Sequence, residues 1–265
     1  MRIVVVGGLG DLGLRVVREL ADRGHAVSSA SRRTGVDLRT GAGLRDAFAG
    51  VDAVVHCATD PTRSRAVDVA GTRLLVDAVT QEGLRRSAPA PHVVSVSIVG
   101  CDRVPYGYYR SKMASEQVLE HSGIPATVVR ATQFHALAAF MAKLLRLGPL
   151  GLSVGDLRLQ PVDIDWVAAR LADHAEGPSP AGLARATDLA GPAASSLDGL
   201  QALVAQHDDR AAPRPLRIPP VGAAMRAVSS GALLPSPAAE LGGRSFADWL
   251  AEQPRPLPRR MHHQP

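Results

Sequence analysis

A tyrosine and a lysine four residues apart are the clearest candidates for chemistry in this chain. Tyr108 and Lys112 open a predicted helix, and this spacing places both side chains on one helix face. A phenol with an ordinary pKa of about 10 exchanges protons poorly at neutral pH, but a nearby ammonium favours the phenolate and lowers that pKa. The pair therefore predicts a proton donor and acceptor for a substrate oxygen, with Lys112 lowering the pKa of Tyr108.

A serine is the third candidate for this chemistry. The strand predicted over residues 92–99 precedes the helix and carries Ser95 and Ser97 near its carboxyl end. A hydroxyl at that end would hydrogen-bond the substrate oxygen. Ser97 is the first choice, and Ser95 is the alternative because the sequence leaves the register at the strand end open.

The element that must position these residues begins at the start of the chain. Residues 3–6 are a β-branched run, typical of a buried strand, which breaks into Gly7, Gly8, Gly10 and Gly13 before an amphipathic helix. Glycines let the backbone approach phosphates closely, and the helix N-terminus adds free N–H groups and a partial positive charge. This order of elements predicts a dinucleotide-binding turn, in the context that such a turn needs.

Two glycine patterns fit this turn equally well. Gly8, Gly10 and Gly13 match G-x-G-x-x-G, whereas Gly7, Gly10 and Gly13 match G-x-x-G-x-x-G. Either pattern gives the same predicted contacts with the pyrophosphate. These are Gly7, Gly8, Leu9, Gly10, Asp11, Leu12 and Gly13.

The end of the second predicted strand, residues 25–29, indicates which dinucleotide binds. A site that prefers NAD carries an acidic residue near this position, which accepts hydrogen bonds from the ribose hydroxyls. This chain has Ser31, Arg32 and Arg33 instead. Because the arginine fork binds phosphate oxygens bidentately, these residues would hold a 2′-phosphate. NADP(H) is therefore favoured over NAD(H).

The next two strands predict further contacts with the cofactor. A short third strand over residues 35–38 would place Asp37, beside Leu38, where its carboxylate accepts from the adenine amino group. The strand over residues 51–58 ends in small residues that would pass beneath the cofactor. The predicted contacts at that strand end are Cys57, Ala58 and Thr59.

A later strand over residues 124–130 supplies the contacts predicted nearest the substrate. By position alone, Thr132 would face the nicotinamide, and Gln133 and His135 would contact the substrate. No metal site is predicted, because Cys57 and Cys101 are too few for a cluster and are best explained as small buried residues.

Composition excludes several classes of protein. The net charge of +5 and pI near 9.8 come almost entirely from arginines spread along the chain, so no nucleic-acid partner is expected. No apolar run approaches the ~20 residues of a membrane span, and the N-terminal run lacks the features of a signal peptide. We therefore expect a cytoplasmic monomer or homodimer that acts on a small-molecule substrate, without a membrane partner.

Strand and helix patterns alternate over the first 150 residues, which predicts an α/β fold with a Rossmann-like, doubly wound parallel sheet. Residues 1–150 would form the NAD(P)-binding domain. Residues 151–252 would form a small C-terminal substrate lobe over the carboxyl ends of the strands, and the Pro- and Arg-rich residues 253–265 a disordered tail.

The sequence resembles the short-chain dehydrogenase/reductase superfamily, most of all its extended or atypical branch with the NmrA-like NAD(P)H-binding and epimerase/dehydratase-like proteins. The segments that carry the resemblance are residues 7–13, 37–38, 56–58, 70–75, 97–100 and 108–112. The resemblance implies that Tyr108 is the acid/base, Lys112 its partner and a ligand of the nicotinamide ribose, and Ser97 the third member. It favours the glycine pattern that starts at Gly7, which leaves Gly8 as a flexible loop residue near the pyrophosphate. One departure is Asp68, which stands where extended members often have asparagine.

These features predict an NADPH-dependent reductase or dehydrogenase of a small carbonyl or alcohol. Two alternatives stay open at this point. One is an enzyme like the nucleotide-sugar epimerases and dehydratases, which would hold NAD tightly. The other is a non-catalytic NADP(H)-binding redox sensor, which would bind nucleotide without turning over a substrate.

Overall fold

The computed structural model describes residues 1–258, and the chain divides into two compact units. The first unit comprises Met1–Ser97, Gly107–Arg130 and Ala168–Ala186. The second comprises Ile98–Tyr106, Ala131–Val167 and the chain from Thr187 onward. These boundaries differ from the predicted ones, since residues 131–150 group with the second unit and residues 168–186 with the first.

The fold is α/β, as predicted. The strands, in chain order, are β1 (Arg2–Val6), β2 (Ala26–Ala30), β3 (Ala53–His56), β4 (His92–Ile98), β5 (Ala126–Ala131), β6 (Arg146–Leu147), β7 (Leu150–Val154), β8 (Arg158–Leu159), β9 (Leu183–Arg185), β10 (Leu189–Ala190), β11 (Ser195–Ser196), β12 (Arg214–Ile218) and β13 (Glu240–Leu241). The helices are α1 (Asp11–Asp22), α2 (Leu44–Ala47), α3 (Gly71–Arg86), α4 (Gly107–Ser122), α5 (His135–Leu144), α6 (Ile164–Glu176), α7 (Leu197–His207), α8 (Ala223–Ser229) and α9 (Phe246–Ala251).

The first unit is built on a parallel sheet in the order β2-β1-β3-β4-β5-β9. Strand order reverses at β1, because the chain leaves β1 to form β2 on one side and returns to form β3 on the other. In open sheets of this kind, ligands bind outside the carboxyl ends of the strands at such a reversal. The fold therefore places the glycine turn after β1 at the expected binding edge.

Burial explains why these segments form inner strands and a covering helix. Every residue of β1 after Arg2 is buried, and so is every residue of β3. Such continuous apolar runs are typical of parallel strands covered on both faces. Helix α1 buries Leu12, Val16 and Leu20, whose spacing forms one apolar stripe.

Helix α3 has an unusual beginning. A π-helical turn, Arg65–Ala70, leads directly into it, so the helical segment starts with a wider turn than the rest. π-helical turns are rare and often lie at functional sites. Asp68 belongs to this turn and is buried.

The third strand predicted over residues 35–38 does not form. The chain makes a 3₁₀ turn at Arg32–Thr34, after which Gly35 has a φ of +86° and Val36 N–H donates to Ser31 O. Only an isolated bridge joins Asp37 to Ala42. The left-handed residue and the tight local hydrogen bonds close the chain on itself, so no strand can join the sheet there.

The second unit contains shorter strands and several helices. It has a three-stranded sheet in the order β12-β7-β6, and a separate antiparallel pair of β8 and β11. Helix α5 ends at Leu144, and the chain then turns into β6. Residues 253–258, predicted to be disordered, are placed in the structure: Leu257 is buried and its N–H donates to Asp208. The rest of the predicted tail, residues 259–265, lies outside the described residues.

Two kinds of feature are absent from residues 1–258. None of the helices there is both long enough and apolar enough to cross a membrane. That same part of the chain contains no group of three or more His, Cys, Asp or Glu side chains able to hold a metal ion.

Candidate active site

The glycine turn is shaped by close contacts that exclude side chains. Gly7 has a φ of +79°, and a Cβ at this position would lie 2.7 Å from both N and Cα of Ala58, which follows β3. A Cβ on Gly13 would lie 2.1 Å from Gly7 O. The two outer glycines of the pattern that starts at Gly7 are therefore required by the packing of β1, α1 and the β3 end.

Helix α1 presents its N-terminus at the same turn. Gly10 is the N-cap residue, and no side chain caps the first turn. The first N–H groups of the helix can therefore serve an anionic ligand, with the helix dipole favouring negative charge. These observations fit a pyrophosphate held by the predicted residues from Gly7 to Gly13.

Gly8 differs from the expectation of a flexible loop residue. It is buried, its N–H donates to Val5 O, and a Cβ would lie 2.7 Å from the Ser29 hydroxyl oxygen. Gly8 is thus required by its contact with β2, because no larger side chain fits between the turn and that strand.

The end of β2 carries the predicted phosphate-binding residues. Ser31 and Thr34 form a capping box around the 3₁₀ turn, which fixes the backbone of Arg32 and Arg33. Both arginines are exposed, and in the described part of the chain neither forms an ion pair. Arg32 lies near enough to Asp37 to help lower the pKa of that carboxyl, but a pair of exposed cations outside ion pairs fits a 2′-phosphate.

Asp37, predicted to meet adenine, already has a cationic partner. Arg39 donates to both carboxylate oxygens of Asp37, with Nη2 2.6 Å from Oδ2. The hydrogen bonds from Arg39 lower the pKa of Asp37 to about 2, so the carboxylate is ionised and remains an acceptor. The neighbouring Leu38 is buried in the core of the first unit.

The residues after β3 connect the glycine turn to the tyrosine. Cys57 N–H donates to Val6 O, and burial raises the pKa of its thiol to about 12. Ala58 lies against Gly7, and Thr59 follows at the surface with its hydroxyl oxygen 2.9 Å from Tyr108 Oη. Three successive residues thus run from the nucleotide turn to the candidate acid.

Tyr108 and Lys112 are joined through Asp68 rather than directly. The Thr59 hydroxyl donates to Asp68 Oδ1 over 2.7 Å, and Lys112 Nζ lies 3.4 Å from the same oxygen. Lys112 also donates to Val96 O over 3.1 Å. An ammonium has three donors, so one remains for the predicted contact with the nicotinamide ribose.

The prediction that Lys112 lowers the pKa of Tyr108 is wrong. Burial raises the pKa of Tyr108 to about 12, and the negative charge of Asp68 acts in the same direction. The hydrogen bond with Thr59 acts the other way but is outweighed. The ammonium of Lys112 faces Asp68, an acid whose contact the helix spacing alone does not reveal.

Ser97 has a different partner from the predicted substrate oxygen. Its hydroxyl donates to Glu116 Oε1 over 2.5 Å, and Glu116 also accepts from Arg130 and Arg185. A serine hydroxyl has one proton, so Ser97 cannot also donate to a substrate in this conformation. Ser95, the alternative, is also buried in β4.

The residues after β5 belong to the second unit. Thr132 donates to Gln160 O over 2.6 Å. Gln133 is 5% exposed, and neither polar atom of its side chain has a hydrogen-bond partner among the described residues. Its predicted contact with a substrate stays a prediction that this unpartnered amide supports.

His135 does not fit the role predicted for it. It is 2% exposed, its ring packs against Phe246 and Trp249, which also contact each other, and its Nε2 bonds to Arg244 O, while its buried Nδ1 has no hydrogen-bond partner among the described residues. A ring enclosed in this way offers no face to a substrate. The sequence signal that favoured it was only its position after a strand.

Sequence reasoning missed the central acid of this site. The sequence marks Asp68 only as a departure from the asparagine of extended relatives, and it marks Thr59 only as a predicted cofactor contact. The sequence signal that could have pointed to Asp68 and Thr59 is an acid at position 68 in a chain that also has a lysine four residues after a tyrosine. The contact between Asp68 and Lys112 forms only in the folded chain, because the two residues belong to different helical segments.

Comparisons with known proteins agree with this geometry. A family model described as NAD(P)H-binding matches residues 7–139. The chain is 31% identical over 131 residues to the Photosystem II assembly factor Ycf39 of Synechocystis sp., a match that covers 38% of this chain and 39% of that protein. The chain thus matches well under half of this relative's length.

Solved structures resemble the chain over nearly its whole length. NADPH-dependent quinone oxidoreductase QOR2 of Escherichia coli, complexed with NADPH, has a TM-score of 0.73 at 17% identity, covering 94% of this chain and 98% of that one. A nucleoside-diphosphate-sugar epimerase of Staphylococcus aureus has a TM-score of 0.74 at 17% identity, covering 95% and 100%. Triphenylmethane reductase of Citrobacter sp., complexed with NADP(H), has a TM-score of 0.66 at 15% identity, covering 89% and 92%.

At such identities these structures establish the fold alone, whereas the family model covers half of the chain, including the glycine turn and the Tyr108 helix. The chain therefore belongs to the NAD(P)H-binding family, with the fold of the short-chain dehydrogenase/reductase and NAD-dependent epimerase superfamily.

Proposed function

We propose that the protein is an NADPH-dependent oxidoreductase that transfers hydride between nicotinamide and a small carbonyl or alcohol, with Tyr108 as the acid and base. The observation that supports this most is the short path from the turn to the tyrosine. Ala58 lies against Gly7, and the next residue, Thr59, is hydrogen-bonded to Tyr108 Oη. The candidate proton donor thus contacts Thr59, the residue next to the one that packs against the nucleotide-binding turn.

The cofactor is held, in this proposal, by the chain's own donors and cations. The glycine turn and the first turn of α1 would bind the pyrophosphate, Arg32 and Arg33 the 2′-phosphate, and Lys112 the nicotinamide ribose. When bound, NADPH supplies the hydride. Tyr108 then has one task, which is to give its proton to the carbonyl oxygen, or to remove the proton in the reverse direction.

Turnover by a Tyr108→Phe variant tests the catalytic assignment. We expect NADPH consumption with a panel of small carbonyl compounds to fall by about 100-fold or more, as for the loss of a general acid. NADPH affinity should stay within about twofold of wild type, because the phenyl ring keeps its packing. Tyr106→Phe is the matched control, since Tyr106 is 59% exposed and has no role in the proposal. Equal turnover by Tyr108→Phe and wild type would remove the assignment.

A double variant, Arg32→Ala with Arg33→Ala, tests the preference for NADP(H). Charge-assisted hydrogen bonds contribute about 1.5–3 kcal/mol, so NADPH affinity should fall by roughly 10- to 150-fold while NADH affinity changes little. Arg18→Ala, an exposed arginine on α1, controls for the loss of positive charge. Parallel losses for both nucleotides would contradict a 2′-phosphate site.

A non-catalytic NADP(H)-binding protein is the second candidate. The observation that favours it is that the proton of Ser97 is committed to Glu116, which leaves the substrate oxygen without its predicted second donor. The 31% identity to an assembly factor points the same way. NADPH binding without turnover of any carbonyl, in wild type and Tyr108→Phe alike, would decide for this candidate. Copurified NAD and turnover of a nucleotide sugar would instead decide for an epimerase or dehydratase.

A further inference from the structure

Asp68 is a buried acid with contacts to both candidate catalytic side chains. It is 1% exposed, and its Oδ1 accepts from the Thr59 hydroxyl and lies 3.4 Å from Lys112 Nζ. Its Oδ2 accepts a longer hydrogen bond from Asp60 N–H at 3.4 Å. A carboxylate this deep is costly unless it is paired, and the Lys112 ammonium supplies the pairing charge.

Each hydroxyl in this network has one proton, which determines the direction of its hydrogen bonds. The Thr59 hydroxyl has a single proton, and an ionised carboxylate can only accept, so Thr59 donates to Asp68. Thr59 can therefore only accept at its contact with Tyr108, and Tyr108 donates across those 2.9 Å. Unlike the Ser97 proton, which meets a carboxylate, this proton meets a neutral hydroxyl oxygen, and it turns to the carbonyl oxygen when a substrate binds. A phenolate at Tyr108 would face an oxygen without a free proton. The arrangement favours the protonated tyrosine.

We propose that Asp68 is a positioning residue which, through Thr59, holds the Tyr108 hydroxyl as a proton donor and so biases the site towards carbonyl reduction. This inference rests on the proposed function, because it assumes that Tyr108 transfers the proton. Burial raises the pKa of Tyr108 most, and the charge of Asp68 acts in the same direction. The Thr59 hydrogen bond lowers that pKa only where Thr59 is the donor, a role that the proton count excludes.

The proton transfer balances without a further reactant. Hydride from NADPH adds to the carbonyl carbon, the C–O π bond breaks, and the oxygen takes the Tyr108 proton, leaving an alcohol, NADP⁺ and a phenolate. Tyr108 then regains a proton from water, which can reach it through the exposed Thr59. Because the phenolate is disfavoured, the reverse reaction, which needs it as a base, is the slower direction at neutral pH.

The other charged and titratable groups around Asp68 define what a substitution would change. Lys112 faces it from α4, Asp60 from the loop after β3, and His56 from β3 through Thr72, whose hydroxyl lies 3.3 Å from His56 Nε2. Burial lowers the pKa of His56 to about 3, so it is neutral throughout the pH range of interest. Replacing Asp68 thus changes the charge that lies next to the Lys112 ammonium.

Asp68→Asn tests the proposal by two measurements. In the cofactor-free protein, phenolate absorbance should show Tyr108 ionising at lower pH than in wild type, with Tyr108→Phe identifying its share of the signal. The neutral amide removes the negative charge and releases the Thr59 proton for the phenolate, while Lys112 loses its counter-charge. In the alcohol-oxidation direction, the rising limb of the kcat/KM profile should move to lower pH by about one unit, a tenfold gain on that limb. Asp77→Asn, an exposed acid on α3, is the matched control.

A second pair of variants keeps the test decisive if Asp68→Asn folds poorly. Thr59→Val removes the bridging hydroxyl and leaves Asp68 paired with Lys112, whereas Thr59→Ser restores the hydroxyl. We expect Tyr108 to ionise at lower pH in Thr59→Val, because the acceptor of its proton is lost, and to return towards the wild-type pH in Thr59→Ser. A Tyr108 titration that is unchanged or moves to higher pH in folded Asp68→Asn or Thr59→Val overturns the proposal. The titration needs no turnover, so a failure of the proposed reductase activity is recognised separately.

Discussion

Replacing Gly7 with alanine is the sharpest test of the turn on which the site is built. An alanine at a φ of +79° costs about 1–2 kcal/mol. Its Cβ would also lie 2.7 Å from N and Cα of Ala58, and overpacking of this kind typically costs about 1–3 kcal/mol. We therefore expect Gly7→Ala to lower the free energy of unfolding by about 2–5 kcal/mol.

Gly24 supplies a matched control within the same unit. It has a φ of +85°, and a Cβ there meets nothing within 4 Å. Gly24→Ala has the same backbone cost and the same effect on the entropy of the unfolded chain, but no clash. The difference between the two variants, about 1–3 kcal/mol, therefore measures the contact with Ala58.

Urea unfolding followed by circular dichroism measures both variants, and NADPH fluorescence measures binding. Gly7→Ala should also bind NADPH more weakly, because the backbone has to move away from Ala58, whereas Gly24→Ala should bind as wild type does. Equal losses of stability in the two variants would refute the claim that the close approach of Gly7 to Ala58 shapes the turn.

Three further predictions concern buried groups. Although burial alone would raise it, hydrogen bonds from Arg130 and Ser97 lower the pKa of Glu116 to about 2, so its stabilisation is present above its ordinary pKa of 4.5 and is lost as pH falls towards 2. Glu116→Gln should cost about 2–3 kcal/mol at neutral pH and flatten that acid limb in urea unfolding; an unchanged limb would contradict the pairing. His56, with its pKa lowered by burial to about 3, should lose stability as pH falls below 6.5, and His56→Gln should show a shallower dependence on pH over that range. The thiol of Cys57, its pKa raised by burial to about 12, should resist alkylation at neutral pH in the folded protein and react after denaturation; rapid labelling of the native chain would disagree.

The local parts of the fold could be predicted from the sequence. The β1 run, its glycine turn and the helix stripe of α1 follow from neighbouring residues, and so does the shared face of Tyr108 and Lys112. Residues 35–38 were misassigned because the left-handed Gly35 closes a turn that the apolar pattern alone does not reveal.

The pairing of charged and polar side chains at the site could not be predicted, because it depends on contacts between segments that are distant in the sequence. Ser97 meets Glu116, and Asp68 meets Lys112, only after the sheet and its helices have formed. His135 follows a strand end as a ligand-binding residue would, yet Phe246 and Trp249 enclose it from far along the chain. Sequence position therefore predicts roughly where these side chains lie, but it does not predict which residues they contact.

The π-helical turn at Arg65–Ala70 has a consequence for how this site can change over time. Such a turn holds one more residue than an α-helical turn would. Loss of a single residue there would restore a regular helix, and the side chains of the turn, Asp68 among them, would point in other directions relative to α3. The acid would then leave Thr59 and Lys112 even though every side chain of the site was unchanged. Insertions and deletions in this turn, and not only substitutions at the site, would therefore separate homologues that hold the tyrosine as a donor from those that do not.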